Sequence, residues 1–272
     1  MLLAGAHVVG GHLEGPFLSA VRCGAQDPRH LIAPDVRALE RMLDAGRGTV
    51  RVVTIAPELA GGFDLIAATT GAGAIAAIGH TDATYEVATA AIAAGARLAT
   101  HLCNAMPPLH HRAPGAVGAA LHSPDVVCEV INDGAHLHDG MVATIVAAAG
   151  PSRVALITDA IAAAGTPDGT HELDGRAVRV EQGVARLVDG GALAGSTLTM
   201  DVAVRRAVHD VGLSLTDAVV AASTTPARVL GIADRAGAIA PGLDADLVVL
   251  DDALRVESVM ALGRWVSGPE VG

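Results

Sequence analysis

The sequence runs to 272 residues, 51 % hydrophobic, 17 % charged and 1 % aromatic, with a formal net charge of -11 and no lysine among its 18 basic residues. Such a length suits one large core, since α/β barrels run to ~250 residues as a single domain. The acidic balance and the scarcity of aromatic rings exclude a nucleic-acid partner, the missing lysine excludes Schiff-base chemistry and Walker-type phosphate loops, and no apolar run reaches the ~18 residues of a membrane span. Cys23, Cys103 and Cys128 form no C-x-x-C pair, so a disulfide framework is not expected and the cytosol is the default compartment. The opening residues lack the basic and long apolar regions of a signal peptide.

Taken in chain order, short β-branched runs alternate with alanine-rich runs of helical period. A strand is predicted over 7–14. A helix over 34–45 carries Val36, Leu39, Met42 and Leu43 on one face and is expected to stop at Gly46. Strands follow over 50–56, 74–80 and 97–102, with a helix over 82–94 that takes Asp82 as N-cap and ends at Gly95. Gly71-Ala72-Gly73 reads as a helix end, because no dinucleotide-loop glycine pattern continues from it. A strand over 126–133, a helix over 139–149 stopped by Gly150-Pro151, and a strand over 154–159 complete a βαβα rhythm. After Asp159 the pattern changes. Residues 171–191 read as a β-ribbon, helices lie near 199–211 and 215–222, and a third opens at Pro226 as its first helical residue. Segments 246–250 and 259–266 have strand character and belong to a small separate sheet.

Glu14, Glu58, His80, His101, Asp133 and Asp159 each fall at the C-terminal end of a predicted strand. In a closed barrel those ends meet at one mouth, whereas a doubly wound sheet gathers groups mainly at one switch point, so the pattern favours a barrel. Glu14, His80 and His101 together offer one carboxylate and two imidazoles with a fourth position open, the ligand set of a catalytic metal site. Strand-end histidines also cap backbone or bind water, and the ligands here form no compact motif.

The local strings are more specific. His12-Leu-Glu14-Gly-Pro-Phe17, Gly79-His80-Thr81-Asp82, Thr100-His101-Leu-Cys-Asn104-Ala-Met106 continuing to Arg112, Asp133-Gly-Ala-His136, Leu156-Ile-Thr-Asp159 and Leu193-Ala-Gly-Ser-Thr occur in this order. Together they resemble the N-acetylglucosamine-6-phosphate deacetylases of the amidohydrolase superfamily, from Ala6 to about Val266. The resemblance implies a TIM-type (β/α)8 barrel with a small β-sandwich built from both chain ends. It implies that Glu14, His80 and His101 hold a divalent metal, zinc first, with iron, cobalt or manganese also suited to such ligands. It makes Asp159 the general acid/base, against the bare alternative of a helix N-cap. Arg112 and the Asn104-Ala105 pair would take the phosphate, and His136, with Asp133, Gly134 and Ala135 of its motif, the sugar. Leu193, Ala194 and Gly195 would line the substrate, and Ala25 would add a further contact. Without the family string, Arg112 reads as a solvated loop arginine.

The same resemblance implies that relatives begin about a hundred residues earlier. It leaves here about six barrel strands, the third to the eighth, over 1–240, and the C-terminal strands of the sandwich over 241–272. Relatives often carry a histidine where this chain has Gln26. The implied substrate is a small phosphorylated amino sugar and the implied assembly of the full-length form a homodimer. Two alternatives stand beside deacetylation of N-acetylglucosamine 6-phosphate. One is a catalytically impaired, truncated remnant; the other is an amidohydrolase for a related acylated sugar phosphate such as N-acetylgalactosamine 6-phosphate.

Overall fold

A computed structural model describes residues 6–268, so most of the segment read for a signal peptide lies outside the described residues. Six parallel strands form one sheet: β1 (Gly11–Glu14), β2 (Val50–Ile55), β3 (Ile75–Ile78), β4 (Leu98–Ala99), β5 (Val127–Ile131) and β6 (Val154–Ile157). Their spatial order follows the chain from β1 to β6 without a reversal. A doubly wound sheet reverses its order at the switch point, so the curled sheet is the incomplete barrel expected. Five helices alternate with the strands: α1 (Val36–Gly46), α2 (Gly62–Gly71), α3 (Tyr85–Ala93), α4 (Gly115–His122) and α5 (Asp139–Ala149).

Burial on both faces explains the strand composition. Every residue of β5, Val-Cys-Glu-Val-Ile, is buried, as in a parallel strand covered on both sides. On the outer face Val53, Ile78 and Val130 pack with Leu39, Leu65 and Ile145 of the helices. The inner face is layered. Val52, Ala77, Leu98, Val127 and Ala155 make an apolar floor together with Val229 and Leu230. Above it runs a polar row in which His12 Nε2 meets Thr54 Oγ1 at 2.7 Å and Thr54 Oγ1 meets Thr100 Oγ1 at 2.8 Å. Burial pushes the His12 imidazole down to about 4, so the row holds a neutral ring.

After β6 comes an antiparallel meander of β7 (Gly169–Leu173), β8 (Arg176–Glu181) and β9 (Val184–Leu187), the ribbon expected. Then follow α6 (Met200–His209), α7 (Leu215–Val219) and α8 (Thr225–Val229), and a second meander of β10 (Leu247–Leu250), β11 (Val256–Ala261) and β12 (Arg264–Ser267). Among the described residues no helix is long and apolar enough to cross a membrane.

Several boundaries differ from expectation for identifiable reasons. Helix α1 keeps Gly46 in its last turn, where a Cβ would meet Val50 Cγ2 at 2.6 Å, and Arg47 takes the left-handed position instead, with φ 49°. Helix α3 starts at Tyr85 and not after Asp82: the Asp82 N–H donates to Glu58 Oε1 at 2.6 Å, its carboxylate pairs with Arg22, and Thr84 is the cap that accepts from Val87 N–H. Pro226 is the second residue of α8, not the first as predicted, and that helix is continuous with the one before it. A π-helical stretch, Val220–Thr224, joins α7 to α8, and its wider turn accommodates a ring that would otherwise crowd the carbonyl four residues back. Helix α2 stops at Gly71, as the Gly71-Ala72-Gly73 string implies, but its start and the whole of α4 are not foreseen, and both helices begin on glycine without a side-chain cap.

Gly79 tests the packing beneath the strand ends. An added Cβ would lie 2.7 Å from Thr100 Cβ and 2.8 Å from Thr54 Cγ2, both inside the barrel. Gly79→Ala is expected to lower unfolding free energy by ~1–3 kcal/mol, the usual effect of overpacking. Gly11→Ala, which meets nothing within 4 Å, should stay within ~0.5 kcal/mol of the parent. Denaturant midpoints of the two variants measure the difference, and equal midpoints would contradict the packing described.

Candidate active site

Three side chains meet at the C-terminal ends of the strands. Glu14 is the last residue of β1, and His80 and His101 lie two residues beyond β3 and β4. Glu14 Oε1 lies 3.1 Å from His80 Nε2 and 2.7 Å from His101 Nε2, and the two Nε2 atoms are 3.1 Å apart. Both rings are buried. His80 Nδ1 lies 2.8 Å from the Arg22 carbonyl, which only accepts, so that nitrogen carries the proton. Were the His80 ring uncharged, its Nε2 would turn a lone pair toward the carboxylate. Such an arrangement is repulsive unless a proton or a cation lies between the three atoms. The donor set of one oxygen and two imidazole nitrogens could thus hold a divalent metal. His101 Nδ1 is buried without a hydrogen-bond partner among the described residues.

The electrostatics follow from burial and mutual charge. Burial opposes charge on Glu14, but the hydrogen bonds from His101 and His80 outweigh it and hold the carboxyl far below its ordinary range. Burial likewise opposes a proton on His101, yet Glu14 reverses the balance and the imidazole is raised overall. Asp159 lies two residues beyond β6 and lines the same cavity. Burial pushes its carboxyl up and the Glu14 charge adds to that, the direction that suits a group that both takes and gives a proton near neutrality.

The cavity holds about 340 Å³ and is lined by Glu14, His80, His101 and Asp159, and from the predicted set also by Ala25, Asn104, Ala105, His136, Leu193 and Gly195. Asn104 turns its amide onto the carbonyls of His101 and Leu102 at 3.1 and 3.4 Å. Asp133 reaches the cavity through His136. Its Oδ1 accepts the N–H groups of Ala135 and His136, and its Oδ2 faces His136 Nδ1 at 2.7 Å, which folds Asp133–His136 into a tight turn with Gly134 at φ 80°. Ala194 is fully buried in the small core under the ribbon and does not line the cavity. Gly195 packs against Asp159, where a Cβ would meet the Asp159 carbonyl at 2.7 Å. Arg112 is exposed on the loop after β4 and is not part of the cavity wall, and Glu58 turns away to Thr81 and Asp82.

Sequence reasoning does not reach several contributors. Leu173 and Asp174, at the β7–β8 turn, line the cavity, which no local string signals. Gln26 stands out in the sequence as a departure from relatives, and the fold adds its contact with Glu14, 2.7 Å from Nε2 to Oε2. Glu129 lies beneath His101, and burial pushes its carboxyl up to about 7. Its signal was available as the one charged residue in an apolar strand.

Asp133 offers a test by pH. Burial alone would raise its carboxyl, but the hydrogen bonds from the His136 ring and backbone outweigh burial and hold it below its ordinary value. A depressed folded value means that the stabilisation is fully present above the unfolded value of ~3.9 and disappears as pH falls through the folded one. The gap in melting temperature between the parent and Asp133→Asn should therefore narrow below about pH 4. A constant gap down to the acid limit would show that Asp133 contributes nothing through its charge.

The profile of the amidohydrolase family matches residues 2–266. The chain is 41 % identical over 263 residues to an N-acetylglucosamine-6-phosphate deacetylase of Bacillus subtilis, covering 96 % of this chain and 66 % of that one. It is 38 % identical to an N-acetylgalactosamine-6-phosphate deacetylase of Escherichia coli O157:H7, covering 97 % and 69 %. A solved N-acetyl-D-glucosamine-6-phosphate deacetylase of Mycobacterium smegmatis, a variant in complex with N-acetyl-D-glucosamine-6-phosphate, superposes with a TM-score of 0.92 at 47 % identity, over 95 % of this chain and 68 % of that one. The chain thus spans about two thirds of the length of the relatives it matches.

Proposed function

The chain belongs to the amidohydrolase family, and on that footing we propose that it hydrolyses the N-acetyl group of N-acetylglucosamine 6-phosphate to give glucosamine 6-phosphate and acetate. The observation that carries this is the convergence of Glu14 Oε1 with the Nε2 atoms of His80 and His101 on a cavity that Asp159 also lines. The names of the relatives supply the substrate class.

Glu14, His80 and His101 hold a divalent ion, with zinc the first choice and iron, cobalt and manganese also suited to two nitrogens and an oxygen. When bound, such an ion supplies Lewis acidity to the acetyl carbonyl and to the attacking water. Asp159 takes a proton from that water and delivers it to the departing amine nitrogen. His136, steadied by Asp133 across the turn through Gly134 and Ala135, contacts the sugar. Leu193 and Gly195, backed by the buried Ala194, form the wall beside Asp159. Ala25, Asn104 and Ala105 line the same cavity, and the phosphate projects toward the exposed loop of Arg112, whose planar guanidinium suits it. The full-length form works as a homodimer in the cytosol, and the barrel gives way to the small sheet near residue 240. The relative from E. coli O157:H7 supports a second reading, in which the galactosamine epimer is the preferred substrate. A panel of both phosphorylated sugars and their unphosphorylated forms separates the two.

Prolonged chelation should abolish deacetylation and a divalent ion should restore it. Full activity in verifiably metal-free protein would end the metal-site assignment. Asp159→Asn keeps size while removing the base, and kcat should fall about 10²–10⁴-fold, the usual contribution of general acid–base catalysis, with metal content unchanged. A change of less than a few-fold would make Asp159 a structural residue.

A further inference from the structure

The Glu14 carboxylate is gripped from two sides. Oε1 faces the two imidazoles at 3.1 and 2.7 Å, while Oε2 accepts a hydrogen bond from Gln26 Nε2 at 2.7 Å. A carboxylate has two oxygens and about four lone-pair sites, so an unrestrained one can present either oxygen, or both, to a cation. We propose that Gln26 is a positioning residue: its amide N–H occupies Glu14 Oε2, so that Glu14 meets a divalent cation through Oε1 alone and in one orientation. The proposal rests on the metal-site reading above and adds which oxygen binds and what selects it.

The loop that carries Gln26 is built to hold still. Its own N–H donates to the Cys23 carbonyl at 2.9 Å. On one side the Ala25 carbonyl accepts from Arg176 Nη1, on β8 of the ribbon, at 3.0 Å. On the other, the buried Asp27 carboxylate accepts the Arg29 N–H at 2.9 Å. Gly24, at φ 60°, lets the loop lie against His80, whose Cε1 would be 3.3 Å from an added Cβ. The donor is thus anchored from three directions. Its chemistry also fits the task. An amide carries no charge at any pH, so it orients the carboxylate without neutralising it, whereas a guanidinium there would compete with the metal as counter-ion.

The test uses three variants. Gln26→Met keeps the length and removes the donor; Gln26→Asn keeps an amide and is one methylene short of Oε2; Gln26→His restores a ring N–H donor at similar reach. Zinc affinity is measured by competition with a chromophoric chelator. Coordination is read from the visible absorption of the cobalt(II)-loaded protein, and melting of the metal-free form checks the fold. Loss of an outer-shell hydrogen bond weakens metal binding about 10–100-fold. That loss, with an altered cobalt spectrum, is expected for Gln26→Met and Gln26→Asn, and near-parent values for Gln26→His. If Gln26→Met fails to fold, Gln26→Asn carries the comparison. Parent affinity and an unchanged spectrum in the folded donor-less or shortened variant would overturn the proposal. Failure of the parent itself to take up zinc or cobalt would instead overturn the metal site on which it rests.

Discussion

When helices return the chain to the start of each new strand, every strand of a parallel sheet ends on the same side. All six strands here obey that constraint, and their order in space is their order in the chain. Residues as distant in sequence as Glu14, His101 and Asp159 therefore arrive at one cavity without long loops to carry them. The layers below follow from the same geometry. Alternation puts apolar side chains on the floor, His12, Thr54 and Thr100 above them, and the acid–imidazole cluster on top. Polarity rises toward the mouth, and the hydrogen-bonded middle row separates the charged cluster from hydrocarbon that would not tolerate it.

Burial both endangers and sharpens the site. An isolated carboxylate in such surroundings would give up its charge, yet two imidazoles keep Glu14 ionised; burial raises Asp159, and the Glu14 charge adds to that. The one anion thus bears on both His101 and Asp159, against burial in the first and with it in the second. The thiols differ for lack of such a partner: burial pushes Cys103 up to about 11 and Cys128 up to about 12, which leaves both unreactive.

The sheet and the cluster were legible because they depend on local pattern. Short β-branched runs end in a polar residue, and the structure brings Glu14, His80 and His101 together as the strings suggested. Helix α5 begins and ends where predicted, with the His138 side chain capping its start and Gly150, at φ 76°, closing its end before Pro151. Where tertiary contacts compete with local signals, prediction slipped. Asp82 has the chemistry of an N-cap but is committed to Arg22 and Glu58, both distant in sequence. Alanine and glycine in α4 gave little periodic contrast against solvent, since most of that helix is buried. The contacts of Gln26 and Asp174 were invisible for a simpler reason: each depends on the path of a loop, and loop paths are set by partners such as Arg176 that no spacing rule connects to them.

His80, His101 and Asp159 all sit in the left-handed region, with φ of 46°, 29° and 49°. None of these residue types adopts that conformation freely, and each costs on the order of 1 kcal/mol relative to an ordinary backbone. Glycine would relax all three turns. A search for thermostable variants that scores only the fold would therefore be drawn to the positions that hold the chemistry, and would erase the site while improving the scaffold. The strength of that pull, read as the gain in melting temperature of metal-free Asp159→Gly, measures how far the scaffold is bent to bring these side chains together.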